Sequence, residues 1–434
     1  MSFFLLIIIG TILLSLPWAV KGPSLYWVDS LFTATSATCV TGLSVWDTGT
    51  KFTFFGQIVI LVLIQLGGLG IMTFSTFFAV VLGKKITIKD HTLIKESLSS
   101  FETERIVILL KYVLIFTISA EFLGALCLYF CWEQSTTCFN PIYCSIFHSV
   151  SAFCNAGFSL FTNSLIDYKS NKIINFIITS LIILGGIGFI VINDLRGIWK
   201  RKDKYNKKVS LHTKIVIFLT VSIVLFSTCM LFIFENNNAF SGLTLFDKFQ
   251  AAYFQAITSR TAGFNTIDTA LLSSAGLFFI IILMFIGGAS GSTAGGIKVN
   301  TLGVIYGMIK AIFKGRDRIE LFHRTISRNI GYKAISILIL SLLVVIIGVV
   351  SLLITENIKG ESIPFINILF EVVSAFGTVG LSTGITSKLS LIGKLIITMI
   401  MFAGRIGPLT LALAITEEKV KLEYRYPEEK VIVG

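Results

Sequence analysis

Four short segments of this chain end on a glycine in the same local context: Phe32 to Ser44, Phe147 to Ser159, Tyr253 to Asn265 and Phe370 to Ser382. They align without gaps. In each, an aromatic residue stands ten positions before the glycine (Gly42, Gly157, Gly263 or Gly380), Leu or Phe follows it, and Ser or Asn comes next. The three residues leading in are Cys39, Val40 and Thr41; Cys154, Asn155 and Ala156; Arg260, Thr261 and Ala262; and Gly377, Thr378 and Val379. None of these sets is a catalytic constellation, and the chain has no HExxH, no GxSxG and no metal-ligand spacing among its seven cysteines and four histidines. What the segments share is a backbone that can turn left-handed where glycine carries no β-carbon. Four such turns around an axis present rings of carbonyl oxygens, which replace the water shell of a monovalent cation at modest field strength, as in potassium filters. The expected ligands are the carbonyls of residues 39–42, 154–157, 260–263 and 377–380. The expected metal is a monovalent cation at that point alone.

The elements that must hold these turns follow from composition. Of 434 residues, 54% are hydrophobic and 14% charged, with a mean hydropathy of +0.85. A soluble domain cannot bury so much apolar surface, so the chain is read as an all-α integral membrane protein. A long apolar run precedes each turn (Phe3 to Val20, Ile106 to Phe130, Ile215 to Phe234, Ala334 to Ile354) and a second follows it (Phe54 to Leu82, Ile173 to Leu195, Leu277 to Ile312, Leu391 to Ile415). Between them lie roughly ten to twelve moderately apolar residues, too few to cross a hydrocarbon core of about 30 Å. Those segments must enter and leave on one side. Irregular backbone at that depth is tolerated only inside protein or against a wet cavity, so the four tips converge. The expectation is eight transmembrane helices and four re-entrant pore helices around a pseudo-fourfold pore. Repeat boundaries are set at 1–83, 84–200, 201–314 and 315–434.

Net charge is +12, and the positive residues fall in short connections rather than in a nucleic-acid-binding domain. Arg196 to Lys214 and Lys310 to Lys333 are strongly basic, which places both loops in the cytoplasm with the N-terminus and the C-terminal tail, while the tips open outward. The first run lacks a basic leader and a clear cleavage site, so it is read as a retained helix. Membrane lipids are expected partners of the basic loops, and nucleic acid is not. Most cysteines read as small core residues; Cys138 and Cys144 share an outer loop where a disulfide is conceivable. His148, His212 and His323 read as isolated polar residues.

Beneath each tip the following helix is interrupted by glycine: Gly67 to Gly70, Gly185 to Gly188, Gly287 to Gly296, and Gly404 with Gly407 before Pro408. In the first two copies, close helix packing accounts for the glycines. The third copy, Gly287, Gly288, Ala289, Ser290, Gly291, Ser292, Thr293, Ala294, Gly295 and Gly296, cannot sustain a helix and is expected to be an intramembrane loop below the filter. A phosphate-binding reading of it fails because Ile297 takes the lysine position. Arg405 in the fourth copy is costly at membrane depth unless it faces protein or water; it is read as a pore-facing cation that holds this loop closed. Arg260 is expected to pair with Glu371 behind the filter, and Glu121 to have a buried partner.

The tips TCVTGL, FCNAGF, RTAGFN and FGTVGL, the interrupted third inner helix and the segment MFAGRIGPLTL together resemble the Trk/Ktr/HKT superfamily of potassium transporters, and within it the Ktr branch. The likeness runs through nearly the whole chain. It implies K⁺ uptake across the bacterial plasma membrane, with Na⁺ influence, through a homodimer seated on a KtrA-like cytosolic nucleotide-binding regulatory ring. No organic cofactor is implied in this chain, the nucleotide belonging to the partner subunit. Two other readings are a stoichiometric secondary symporter, which the parallel repeats disfavour, and a membrane-embedded enzyme, which lacks catalytic groups.

Overall fold

The computed structural model describes residues 2–70, 103–132, 140–200, 209–359 and 363–407. The continuation of the second apolar run towards Leu82, most of the first basic loop, Cys138, and the stretch from Pro408 through the charged tail lie outside the described residues.

In chain order, α1 (Ser2–Ser15), α2 (Trp27–Thr38) and α3 (Phe54–Leu69) are followed by α4 (Thr103–Trp132), α5 (Pro141–Phe153), α6 (Lys172–Gly186) and α7 (Phe189–Lys200). Then come α8 (Leu211–Glu235), α9 (Leu245–Thr258), α10 (Ser274–Phe285) and α11 (Val299–Phe313). A small antiparallel hairpin, β1 (Ile319–Leu321) with β2 (Arg324–Ile326), precedes α12 (Arg328–Lys359), α13 (Phe365–Gly377) and α14 (Leu391–Ile406).

Among the described residues, three helices are long and apolar enough to cross a membrane, Lys111–Trp132, Leu211–Glu235 and Arg328–Ile358, while α6 and α7 qualify only as a pair bent by 89°. On the three long helices Phe122, Phe130, Phe226, Ile233 and Ile346 are largely exposed. Side chains so apolar require lipid around them, and the chain is a multi-pass membrane protein. Helix starts follow ordinary capping rules: the side chains of Thr53, Asn140, Asn171, Ser210, Thr244, Ser273 and Ser390 each accept a first-turn amide. The first helix stops at Ser15, short of the expected Val20. Pro17 lacks an amide hydrogen and forces Leu16 into an extended conformation (ψ 142°), which ends the helix before a single 3₁₀ turn.

The short helices α2, α5, α9 and α13 are enclosed by the others. Phe32, Phe147 and Phe370, the aromatics ten residues before three of the glycines, are fully buried in the two large apolar clusters of the core. The repeated aromatic is thus a packing residue. At the N-terminal end of α2, buried Asp29 accepts hydrogen bonds from Lys394 Nζ at 2.7 Å and Trp46 Nε1 at 3.0 Å. This ties the first short helix to the last long one.

Candidate functional site: a ring of four backbone turns

Each short helix ends in the same turn. The backbone is left-handed at Val40, Asn155, Thr261 and Thr378 (φ 57°, 59°, 71° and 50°), and again two residues later at Gly42, Gly157, Gly263 and Gly380 (φ 90°, 69°, 78° and 90°). Left-handed geometry is strained for β-branched Val and Thr, and such strain persists only where surrounding structure enforces it. Part of that enforcement comes from amides folded back onto the helix end: Thr41 N to Ser36 O at 2.7 Å, Ala156 N to Ser151 O at 2.7 Å, Ala262 N to Thr258 O at 3.0 Å and Val379 N to Ser374 O at 2.9 Å.

The four turns meet. A β-carbon placed on Gly42 would fall 2.4 Å from the carbonyl oxygen of Ala156; on Gly157, 2.8 Å from that of Ala262; on Gly263, 2.4 Å from that of Val379; and on Gly380, 2.3 Å from that of Thr41. Each glycine therefore abuts the carbonyl preceding the next glycine, and the last contact closes the circle. No donor among the described residues reaches these four carbonyl oxygens. The hydroxyls of Thr38, Thr41, Thr261 and Thr378 are likewise buried without a partner among the described residues. All four glycines open onto one cavity of about 530 Å³ that also contains Asp47 and Asp268. The donor set is uncharged oxygen, which suits a weakly held monovalent cation better than a divalent one.

Below the ring the second helices differ. α3 ends at Gly70 (φ 79°), α6 and α7 join at Gly188 (φ 93°), and α14 ends at Gly407 (φ 90°). Just before these points Gly67, Gly185 and Gly404 press against the ends of the short helices: a β-carbon on them would meet the carbonyl oxygens of Thr38, Phe153 and Phe376 at 1.9, 1.8 and 1.9 Å. Close packing and helix interruption thus fall on neighbouring glycines.

In the third copy residues 286–298 leave the helix altogether. The two ends of this loop bridge through Gly287 N to Ile297 O (2.9 Å) and Val299 N to Gly288 O (3.0 Å), and its middle docks on the break in the second copy through Ala289 N to Gly186 O (3.0 Å) and Phe189 N to Gly291 O (2.9 Å). Thr293 reaches the end of α5, its Oγ1 lying 3.3 Å from Phe153 O. Arg405 crosses from α14, donating through Nη1 to Thr293 O and through Nη2 to Gly67 O. It also approaches Gly68 O at 3.5 Å. Lys298 caps the loop's own carbonyls, Ala294 O and Gly295 O.

The expected Arg260–Glu371 pair does not form. Arg260 Nη2 lies 3.4 Å from Gly287 O and 3.5 Å from Thr220 Oγ1, whereas Glu371 accepts from Ser382 Oγ at 2.9 Å and from Thr386 Oγ1. In the aligned repeats Arg260 stands three residues before its glycine and Glu371 nine, so about 9 Å of helix separates their levels. One faces the loop below and the other the strand above. Glu121 does have a partner, accepting from Gln65 Nε2 at 3.1 Å. Cys144 is disulfide-bonded, and its expected partner Cys138 lies outside the described residues.

The family model for TrkH, described as a cation transport protein, matches residues 1–422. The chain belongs to the TrkH family. Among relatives, it is 43% identical over 435 residues to the Ktr system potassium uptake protein B of Bacillus subtilis, covering all of this chain and 95% of that protein. It is 38% identical over 444 residues to the potassium/sodium uptake protein NtpJ of Enterococcus hirae, covering all of this chain and 96% of that protein. The crystal structure of the potassium transporter TrkH from Vibrio parahaemolyticus is similar in fold, with a TM-score of 0.73 at 21% identity, covering 96% of this chain and 84% of that one.

Within this TrkH-family chain two features escaped the sequence reading. The left-handed residue two positions before each glycine is Val, Asn, Thr or Thr, types that carry no left-handed signal of their own except Asn. His148, read as isolated, lies wholly buried behind the second tip with Nε2 3.0 Å from Ser159 Oγ. Its signal was positional: it occupies the place of Glu371 in the aligned repeats.

Proposed function

We propose that this chain carries K⁺ across the plasma membrane through the ring of carbonyls before Gly42, Gly157, Gly263 and Gly380. The observation that carries the reading is the closed circle of glycine-to-carbonyl contacts, with donor-free oxygens at each corner. The names of the relatives, potassium uptake and potassium/sodium uptake proteins, agree with K⁺ as cargo and with an influence of Na⁺. In this reading the four stretches 1–83, 84–200, 201–314 and 315–434 are four copies of one unit, a long helix, a pore helix and a second helix, around a pseudo-fourfold pore.

Gating falls to the inner layer. The loop Gly287 to Gly296 obstructs the path beneath the ring, and Arg405 holds it there while its charge repels an arriving cation. Arg260 supports the loop from behind by its bond to Gly287 O. The "system" in the name of the Bacillus relative supports a partner subunit, here a cytosolic nucleotide-binding regulatory ring under a homodimer. Both termini lie on the cytoplasmic side.

The test is uptake of radioactive Rb⁺, a K⁺ surrogate, into vesicles containing the purified chain, with Gly→Val variants at the four tips. Flux by the natural chain and its loss in each variant are expected. Normal flux in all four variants would refute the pore.

A further inference from the structure

Behind the ring, at two of its four corners the short-helix residue nine positions before the glycine grips the residue two positions after it; at the first and third corners the helix end holds its tip through other groups, Ser36 Oγ accepting from Gly42 N at 3.1 Å and Thr258 Oγ1 donating to Phe264 O at 2.8 Å. His148 stands nine residues before Gly157, and Ser159 two residues after it; Glu371 and Ser382 have the same offsets from Gly380. In both copies the side chain on the helix grips the serine on the strand leaving the ring, His148 Nε2 to Ser159 Oγ at 3.0 Å and Glu371 Oε2 to Ser382 Oγ at 2.9 Å.

Both grips are built. His148 Nδ1 lies 2.8 Å from Cys144 O; a carbonyl only accepts, so Nδ1 carries the hydrogen and Nε2 is left as acceptor. Nε2 then receives both the Ser159 hydroxyl and the Leu160 amide, the latter at 3.4 Å. The ring is fixed between Trp132, edge-on at 4.8 Å, and Phe161, stacked at 4.7 Å. On the other side Glu371 also accepts from Thr386 Oγ1, which lies 2.9 Å from Ser382 Oγ. His148 and Glu371 are both fully buried. At the equivalent position of the first copy, Thr33 Oγ1 turns back to Asp29 O in its own helix at 2.9 Å. The third copy has Phe254 there, whose ring has no group to hydrogen-bond.

Around the ring the contacts run from the first tip to the second, third, fourth and back, so the two gripped corners face each other across it. We propose that His148 and Glu371 are positioning residues that fix the span of the ring along this one diagonal and thereby its discrimination between K⁺ and Na⁺. This inference rests on the pore reading above. Selectivity in a carbonyl filter depends on how firmly cavity size and field are held, and a grip at opposed corners acts on that span directly.

The test separates selectivity from throughput. In vesicles, Na⁺ competition against Rb⁺ uptake and maximal Rb⁺ flux are measured for His148→Ala, Glu371→Ala, and the strand-side Ser159→Ala and Ser382→Ala. Losing one such hydrogen bond should weaken Rb⁺ preference over Na⁺ about three- to tenfold, with maximal flux per folded protein changed less. The acceptor-preserving His148→Gln and Glu371→Gln should restore the preference to within about twofold of the natural chain. Thr33→Val should leave it unchanged. An unaltered Rb⁺/Na⁺ ratio in Ser159→Ala and Ser382→Ala would overturn the proposal, and these two variants decide the matter if the helix-side alanines fail to fold. Gln variants as impaired as the alanines would also overturn it, since packing would then be the cause. Failure of the natural chain to carry Rb⁺ would instead sink the pore reading itself.

Discussion

The ring and the layer beneath it draw on the same four stretches of chain, yet their parts match one another to very different degrees. At the ring the backbone angles of the four corners agree closely, and the closing contacts are of one kind throughout. Beneath it one helix bends by 89°, one gives way to a loop, and the fourth supplies an arginine that bonds to two of the other copies. Near-equivalence is what a set of oxygens around one ion requires. The gate proposed for the inner layer would need unlike parts, because one part must move against another that stays.

The comparison can be broken most directly at the ring. A β-carbon at any tip glycine lands under 3.0 Å from a carbonyl, so all four Gly→Ala variants should lose Rb⁺ flux at least about 100-fold, a barrier increase of about 2.7 kcal/mol. A tip that tolerates alanine in this flux assay would show that the corners are not equivalent. The layer below should respond oppositely. Arg405→Gln removes charge-assisted bonds worth about 1.5–3 kcal/mol each, and Rb⁺ flux should rise several-fold, to about tenfold. A fall in flux in the folded variant would mean that Arg405 supports the conducting path.

A smaller effect is expected at Arg260, whose bonds to Gly287 O and Thr220 Oγ1 are long. Arg260→Gln should shift the resting flux by about two- to threefold, measured in the same vesicles. The least effect should come from Gly197, in α7, where a β-carbon would have nothing within 4 Å and the backbone is not left-handed. Gly197→Ala should stabilise the protein by about 0.5–1 kcal/mol in thermal unfolding and leave transport alone.

Much of the ring was legible because its requirement falls on a residue type: only glycine clears the neighbouring carbonyl, and four aligned glycines are visible in any reading of the chain. The aromatic ten positions before each glycine is visible in the same alignment, but its burial at Phe32, Phe147 and Phe370 is seen only in the structure. Left-handed turns at Val40, Thr261 and Thr378 were not legible, because tertiary contacts and not local preference impose them. The Arg260–Glu371 pairing failed on geometry: opposite charges near one filter suggested a partner, but the aligned repeats put them at different heights. His148 taken alone carries no signal of its role. Its meaning lies in sharing a register with Glu371, a relation between copies rather than a property of either.

One contact described with the fold concerns the order in which the molecule can be made. Three junctions of the ring join stretches that follow one another in the chain, but the fourth brings its end back to its beginning. There Asp29 meets Lys394, 365 residues apart, and leaving either charge buried alone would cost about 3–5 kcal/mol. During synthesis the early carboxylate waits for a lysine that emerges almost last. The circle therefore behaves like a necklace whose clasp is locked last: a nascent chain released short of Lys394 can bring Gly380 to Thr41 but leaves Asp29 buried without its lysine.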